Sequence, residues 1–286
     1  MGTPDGESRV GRRQRCWNSS LRLPCVIKSS SCGGNNREKE GEGVKKWSGL
    51  SGFDLKLLAM LLMLCDHLWA TIIPGNNWLN CVGRLAFPIF AFQIAEGWAY
   101  TSDRKQYRHR VLVWALISEI PFNLMAAGGL IYPFHQNVMF TFWLSMLFME
   151  RIDRAEGKGR LTYGLTIAGS LLVGYLVGFL LMVDYYGYGV VTVLVFHLAR
   201  KLPYGKLIQL AGIGYLNLFL MKGLVYPIVL FGREWLFPQQ GFALLALPLI
   251  WLYNGRAGTR SKAARLVGYA FYPVHMLILA LLALLG

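Results

Sequence analysis

Leu171-Leu172-Val173-Gly174-Tyr175-Leu176-Val177-Gly178-Phe179-Leu180-Leu181-Met182-Val183 runs without a charge. A strand with one wet face would alternate apolar and polar residues, and this stretch does not. Leu57 to Leu64 and Met276 to Leu285 are written in the same way. Helices satisfy their own backbone groups in lipid, so these blocks predict an all-α, polytopic transmembrane bundle. Composition agrees: the 286 residues are 55% hydrophobic and 15% charged, against about 25% charged in soluble domains. About nine spans of bilayer length follow from the pattern, with eight and ten as the bounds. They cover 53–73, 78–99, 108–126, 137–151, 161–183, 187–200, 206–221, 240–253 and 266–285. Residues 223–235 are expected to be a re-entrant segment or a tenth span.

The net charge of +14 does not point to nucleic acid, because the charges lie between the apolar blocks. Residues 101–110, 151–160, 200–206 and 256–265 are basic, whereas 74–77, 127–136 and 184–186 carry no Lys or Arg. That alternation puts the N-terminus in the cytoplasm of a multi-pass protein. Residues 1–46 are polar and separate from the membrane domain at 47–286, and they are expected to be a disordered extension. A translation start at Val44 is a second expectation, since Val44-Lys45-Lys46 reads as a short N-terminus. The five cysteines, Cys16, Cys25, Cys32, Cys65 and Cys81, have no metal-ligand spacing, so neither a metal nor a disulfide framework is expected. No internal repeat suggests an inverted-repeat transporter.

Ionisable residues inside spans are costly in lipid and are therefore candidates for function. Lys56, Asp66, His67, Arg84, Glu96, Glu119 and His275 form that set, with Asp184 at a boundary. His67 lies about 21 Å along an outward-running helix, just past the middle of a ~30 Å core. His67, Arg84, Glu119, Gln136 and Asn137 are thereby predicted to converge in the outer half of four consecutive helices. Lys56 and His67 share one helical face, about 16 Å apart. Asp66 points about 100° away from His67, and is expected to pair with Arg84 or a neighbouring helix. Glu96 lies nearer the inner face, where snorkelling beside Tyr100 is the plainer reading. His197, beside Arg200 and Lys201, reads as interfacial.

Several motifs in order resemble the TraX family: Gly52-Phe53-Asp54-Leu55-Lys56, Cys65-Asp66-His67-Leu68, and Gly83-Arg84-Leu85-Ala86-Phe87-Pro88 with Ala95-Glu96-Gly97. Ser118-Glu119-Ile120-Pro121, Gln136-Asn137-Val138, Leu252-Tyr253-Asn254-Gly255 and Tyr272-Pro273-Val274-His275 continue the likeness. It implies an integral-membrane acyltransferase in a bacterial cytoplasmic membrane, of the type that acetylates the N-terminus of F-type pilin. The implied co-substrate is acetyl-CoA or another acyl-CoA. The implied acceptor is an amine or hydroxyl at the outer side, on a pilin-like peptide or a surface glycan. On that reading His67 is the general base or carries the acyl group as an acyl-histidine intermediate, Asp66 or Glu119 orients it, and Arg84 with Asn137 or Gln136 stabilises the oxyanion. Lys56, Arg104, Lys105 and Arg108 would hold the CoA phosphates, while Gln136, Glu96 and His275 contact substrate. A proton-coupled transporter and a non-catalytic membrane assembly factor are the alternatives.

Overall fold

A computed structural model of the chain describes residues 49–221, 223–259 and 261–285. The expected N-terminal extension and the start at Val44 lie outside them. The described chain is helical, apart from one hairpin. In order the helices are α1 (Gly52–Thr71), α2 (Asn77–Gly83), α3 (Ala86–Tyr100), α4 (Arg104–Ala127), α5 (Val138–Ala155), α6 (Arg160–Leu180), α7 (Tyr186–Ala199), α8 (Gly205–Tyr215), α9 (Ala246–Trp251) and α10 (Lys262–Leu285).

Local chemistry sets the helix starts. Ser51 and Asp54 form a reciprocal capping box: the Ser51 hydroxyl accepts from the Asp54 amide at 3.2 Å, and the Ser51 amide donates to the Asp54 carboxylate at 2.8 Å. Asp103 caps α4 through the Gln106 amide at 2.8 Å, and Asn137 caps α5 through the Met139 amide at 3.0 Å. Each cap satisfies an amide that would otherwise face the helix end without a partner.

The bundle packs α1 against α2, α3 and α10, and α10 in turn against α4. On the other side α7 packs against α3, α5 and α6. Leu55, Ile89, Trp98, Met146, Met149, Ile152 and Leu194 are fully buried where these helices meet. Glycine permits close approach at several points, among them two between helices of this bundle. A Cβ at Gly83 would sit 2.5 Å from the Asp66 Cβ, and one at Gly187 would sit 2.1 Å from the Tyr175 carbonyl oxygen. Either methyl group would force α1 from α2, or α6 from α7.

Among the described residues, four helical stretches are long and apolar enough to cross a membrane: Asn77–Tyr100, Arg104–Ala127, Arg160–Leu180 and Ala263–Leu285. Tyr186–Ala199, Gly205–Leu220 and Gln239–Trp251 are apolar but shorter. Several expected spans are also interrupted. The second breaks at Arg84-Leu85 between α2 and α3, and the seventh ends in a π-helical turn at Leu216–Leu220. The eighth begins as a 3-10 helix at Gln239–Leu245 before α9. Residues 223–235 do not form a helical tenth span. They contribute to an antiparallel hairpin, β1 (Val225–Leu230) with β2 (Arg233–Pro238), paired from Val225–Pro238 to Leu230–Arg233. The turn at Phe231-Gly232 has both residues at positive φ, 53° and 74°, between β-branched and aromatic flanks, which favours a hairpin over a helix.

Candidate functional site

Among the described residues, two neighbouring cavities gather most of the candidate side chains. One, of about 700 Å³, is lined by Asp66, His67, Arg84, His135, Asp184 and Tyr185 among others. The second, of about 790 Å³, carries Lys56, Arg110 and Arg265 with Trp114 and Tyr269 in its lining. Met63, Phe90, Val138, Phe142 and Tyr272 line both, so the two spaces lie back to back across a septum whose side chains are apolar apart from the Tyr272 hydroxyl. Lys56 and His67 are on opposite sides of Met63 along α1, and both meet α10. Lys56 lies over the Tyr269 ring at 6.0 Å, and a Cβ at Gly268 would come 3.1 Å from the Lys56 side chain. His67 meets His275. The shared face expected from their spacing is the α10-facing side of α1.

In the histidine cavity, His67 Nδ1 lies 2.7 Å from His275 Nε2, with the rings inclined by 7° and centroids 4.9 Å apart. His275 Nδ1 lies 2.6 Å from the Phe271 carbonyl oxygen. Asp66 does not touch the His67 ring. It pairs with Arg84 and accepts a hydrogen bond from Asn80 at 2.9 Å, as its position about 100° around the helix requires. The break after α2 leaves Arg84 at the helix end, where it joins Asp66 on α1.

Glu119 and Asn137 face each other and not His67. The Asn137 amide donates to the Glu119 carboxylate at 2.5 Å and to the Ala115 carbonyl at 2.9 Å, and its oxygen accepts from the Met139 amide. Both Asn137 N–H groups are therefore engaged, and the side chain is fully buried. This geometry differs from the expected oxyanion donor and histidine orienter: the two residues fasten the start of α5 to α4. Gln136 acts through its backbone, which exchanges hydrogen bonds with Met182 at 2.9 Å and Asp184 at 2.8 Å. Its side-chain amide donates to the Pro133 carbonyl at 3.0 Å.

The segment that Gln136 holds is strained. Met182, Tyr185 and Tyr186 all have positive φ, 51°, 60° and 48°, a conformation costly for bulky side chains and enriched at functional sites. Tyr185 stacks on Phe87 at 3.9 Å between centroids. Asp184 accepts from His135 at 3.3 Å, and this hydrogen bond raises the His135 pKa above its ordinary value despite partial burial. Sequence reasoning did not single out His135, although it falls next to Gln136-Asn137.

The basic cavity also differs from the expected phosphate clamp. Arg104 pairs with Asp153 at 3.0 Å, and Arg108 pairs with Glu150. Lys105 is exposed. Among the described residues, no carboxylate forms an ion pair with Lys56, Arg110 or Arg265, and all three line the cavity. Glu96 lines it too but pairs with Arg200 at 2.7 Å. Asp153 gathers Trp98, His197 and Lys201 at 3.0, 3.0 and 2.8 Å. His197 is thus a buried tie between α5 and α7: it is 2% exposed. Among the described residues no group of His, Cys, Asp and Glu could hold a metal, and Cys65 and Cys81 are free thiols.

Long apolar helices surrounding paired charges and a part-buried histidine pair define a helical membrane protein with a polar centre between its helices. The TraX protein family model matches residues 51–283, and the chain belongs to that family. It is 30% identical over 252 residues to the probable fimbrial assembly protein FimC, serogroup H1, of Dichelobacter nodosus, a match covering 80% of this chain and 94% of that protein. No solved structure matches.

Proposed function

We propose that the chain is an integral-membrane acyltransferase that moves an acetyl or other acyl group from acyl-CoA to an acceptor amine or hydroxyl. The observation that carries this reading is the pair of back-to-back cavities. One presents cations that no carboxylate among the described residues pairs with, and the other presents a histidine. Lys56, Arg110 and Arg265 suit the phosphates of a nucleotide-bearing donor, and the apolar lining beyond them suits its acyl arm. The basic side faces the cytoplasm, by the charge alternation of the loops. About nine crossing elements with a cytoplasmic N-terminus, in the cytoplasmic membrane of a bacterium, complete the arrangement. Donor and acceptor meet where the septum separates the cavities.

In the reaction, His67 takes the proton from the acceptor nitrogen or oxygen as that atom attacks the thioester carbonyl. Arg84, held by Asp66, supports the oxyanion. The C–S bond then breaks, the acyl–acceptor bond remains, and the departing thiolate recovers a proton as CoA-SH. The fimbrial name of the Dichelobacter relative favours a pilin-like peptide as acceptor over a surface glycan. The test is release of CoA from acetyl-CoA by purified protein in nanodiscs, with a pilin-derived N-terminal peptide. Release that needs both peptide and His67, and fails in His67→Ala, supports the reading. Absence of release together with absence of acetyl-CoA binding overturns it.

Two cavities across a septum also fit a proton-coupled exporter. That reading calls for flux that follows a proton gradient without CoA release. An assembly factor without catalysis would keep its partner after His67→Ala.

A further inference from the structure

The hydrogen bonds around His275 have a direction that chemistry dictates. The Phe271 carbonyl oxygen can only accept, so His275 Nδ1, 2.6 Å away, carries a proton. In a neutral imidazole the other nitrogen then has only a lone pair. His275 Nε2 must accept, and the donor facing it at 2.7 Å is His67 Nδ1. His67 in turn keeps its own lone pair on Nε2, the nitrogen that no described residue binds, on a side chain lining the cavity.

The surroundings hold this chain of bonds in place. His275 is 5% exposed and stacks on Phe271, with centroids 4.6 Å apart and planes 15° apart. The near-coplanar rings of His67 and His275 bring N–H and lone pair edge to edge. Thr71 anchors the same turn of α1, donating to the His67 carbonyl at 2.7 Å. Neither carboxylate nearest in sequence logic can serve instead, because Asp66 is held by Arg84 and Asn80, and Glu119 by Asn137.

We infer that His275 is a positioning residue: it fixes His67 in the tautomer whose Nε2 lone pair opens into the histidine cavity. The Phe271 carbonyl and His275 together do for His67 what an orienting carboxylate does in a catalytic triad, without a second buried charge. The catalytic part of the inference rests on the acyltransferase reading; the tautomer does not.

The experiment is nitrogen-15 NMR of histidine-labelled protein in nanodiscs, with His67 signals assigned from His67→Gln. In the wild type, Nδ1 of His67 is expected to be protonated and Nε2 bare. In His275→Leu the His67 ring should relax toward the Nε2–H tautomer. Transfer should fall about 100-fold in kcat with donor KM unchanged, as for lost orienting partners. His275→Gln, whose carbonyl oxygen can occupy the acceptor position, should recover activity to within about tenfold of wild type. A protonated His67 Nε2 in the wild type, or a tautomer indifferent to His275→Leu, overturns the inference. The wild-type spectrum requires no variant to fold. A locked tautomer in a protein that transfers nothing would sink the acyltransferase reading alone.

Discussion

Asp66 and Arg84 form an ion pair across the contact of α1 with α2, at the point where Gly83 lets the two backbones approach. Their side chains are 17% and 14% exposed, so each charge depends on the other for most of its solvation. Removing one member leaves a shielded charge alone, which costs about 3–5 kcal/mol at buried sites, whereas replacing both with apolar side chains costs far less. Thermal unfolding in detergent of Asp66→Leu, Arg84→Met and the double variant should therefore give a double variant more stable than either single. Additive losses would mean that the pair does not share its burial.

Asn137 is expected to matter for stability before chemistry. Asn137→Ala removes the α5 cap, a loss of about 1 kcal/mol, and leaves Glu119 without its closest donor, a further ~1–3 kcal/mol. Asn137→Asp keeps the cap but sets two carboxylates against each other, so it should unfold at least as easily. The midpoints of denaturation for the two variants check this. An unchanged midpoint in Asn137→Ala would show that the α4–α5 tie carries no weight.

His135 lies in the loop after α4, and its hydrogen bond to Asp184 raises its pKa above the ordinary value. A folded-state pKa above the unfolded one makes this contribution fully present below the ordinary histidine pKa, about 6.5, and lost as pH rises through the raised value. Hydrogen exchange of the loop should accordingly quicken as pH increases across that window, beyond the intrinsic rise in exchange rate. Asp184→Asn should flatten the excess.

On the acyltransferase reading, donor binding should separate the two sets of cations. Lys56→Ala, Arg110→Ala and Arg265→Ala should each raise donor KM about tenfold or more, the equivalent of one hydrogen bond to a charged group. Arg104→Ala should leave it unchanged, because Arg104 serves Asp153. The reverse ranking, measured with acetyl-CoA at saturating acceptor, would place the donor on the loop of Arg104 and outside the cavity.

The long apolar runs, the grouping of Asp66 with Arg84 and the common face of Lys56 and His67 were legible, because all follow from helical phase and from the cost of charge in lipid. Pairings between distant helices were not. Nothing local in the sequence distinguishes Glu119 beside His67 from Glu119 beside Asn137, since the choice depends on how α5 approaches α4. His275 could be seen as a lone intramembrane histidine, but its distance from His67 depends on how α10 packs against α1. The hairpin was missed for a different reason: an apolar count alone cannot tell a paired strand from a buried helix, and the turn at Phe231-Gly232 was the available signal.

The wall shared by the two cavities has a meaning for the cell as well as for the substrate. Of the five side chains common to both cavities, Met63, Phe90, Val138 and Phe142 give water no hydroxyl, amide or charge to thread on, and the Tyr272 hydroxyl is hydrogen-bonded to the Val138 backbone. A protein with hollows in both halves of a membrane would otherwise be a leak for protons. On the acyltransferase reading, a partition with so few polar groups lets the membrane keep its voltage while donor and acceptor reach one reaction centre from opposite sides.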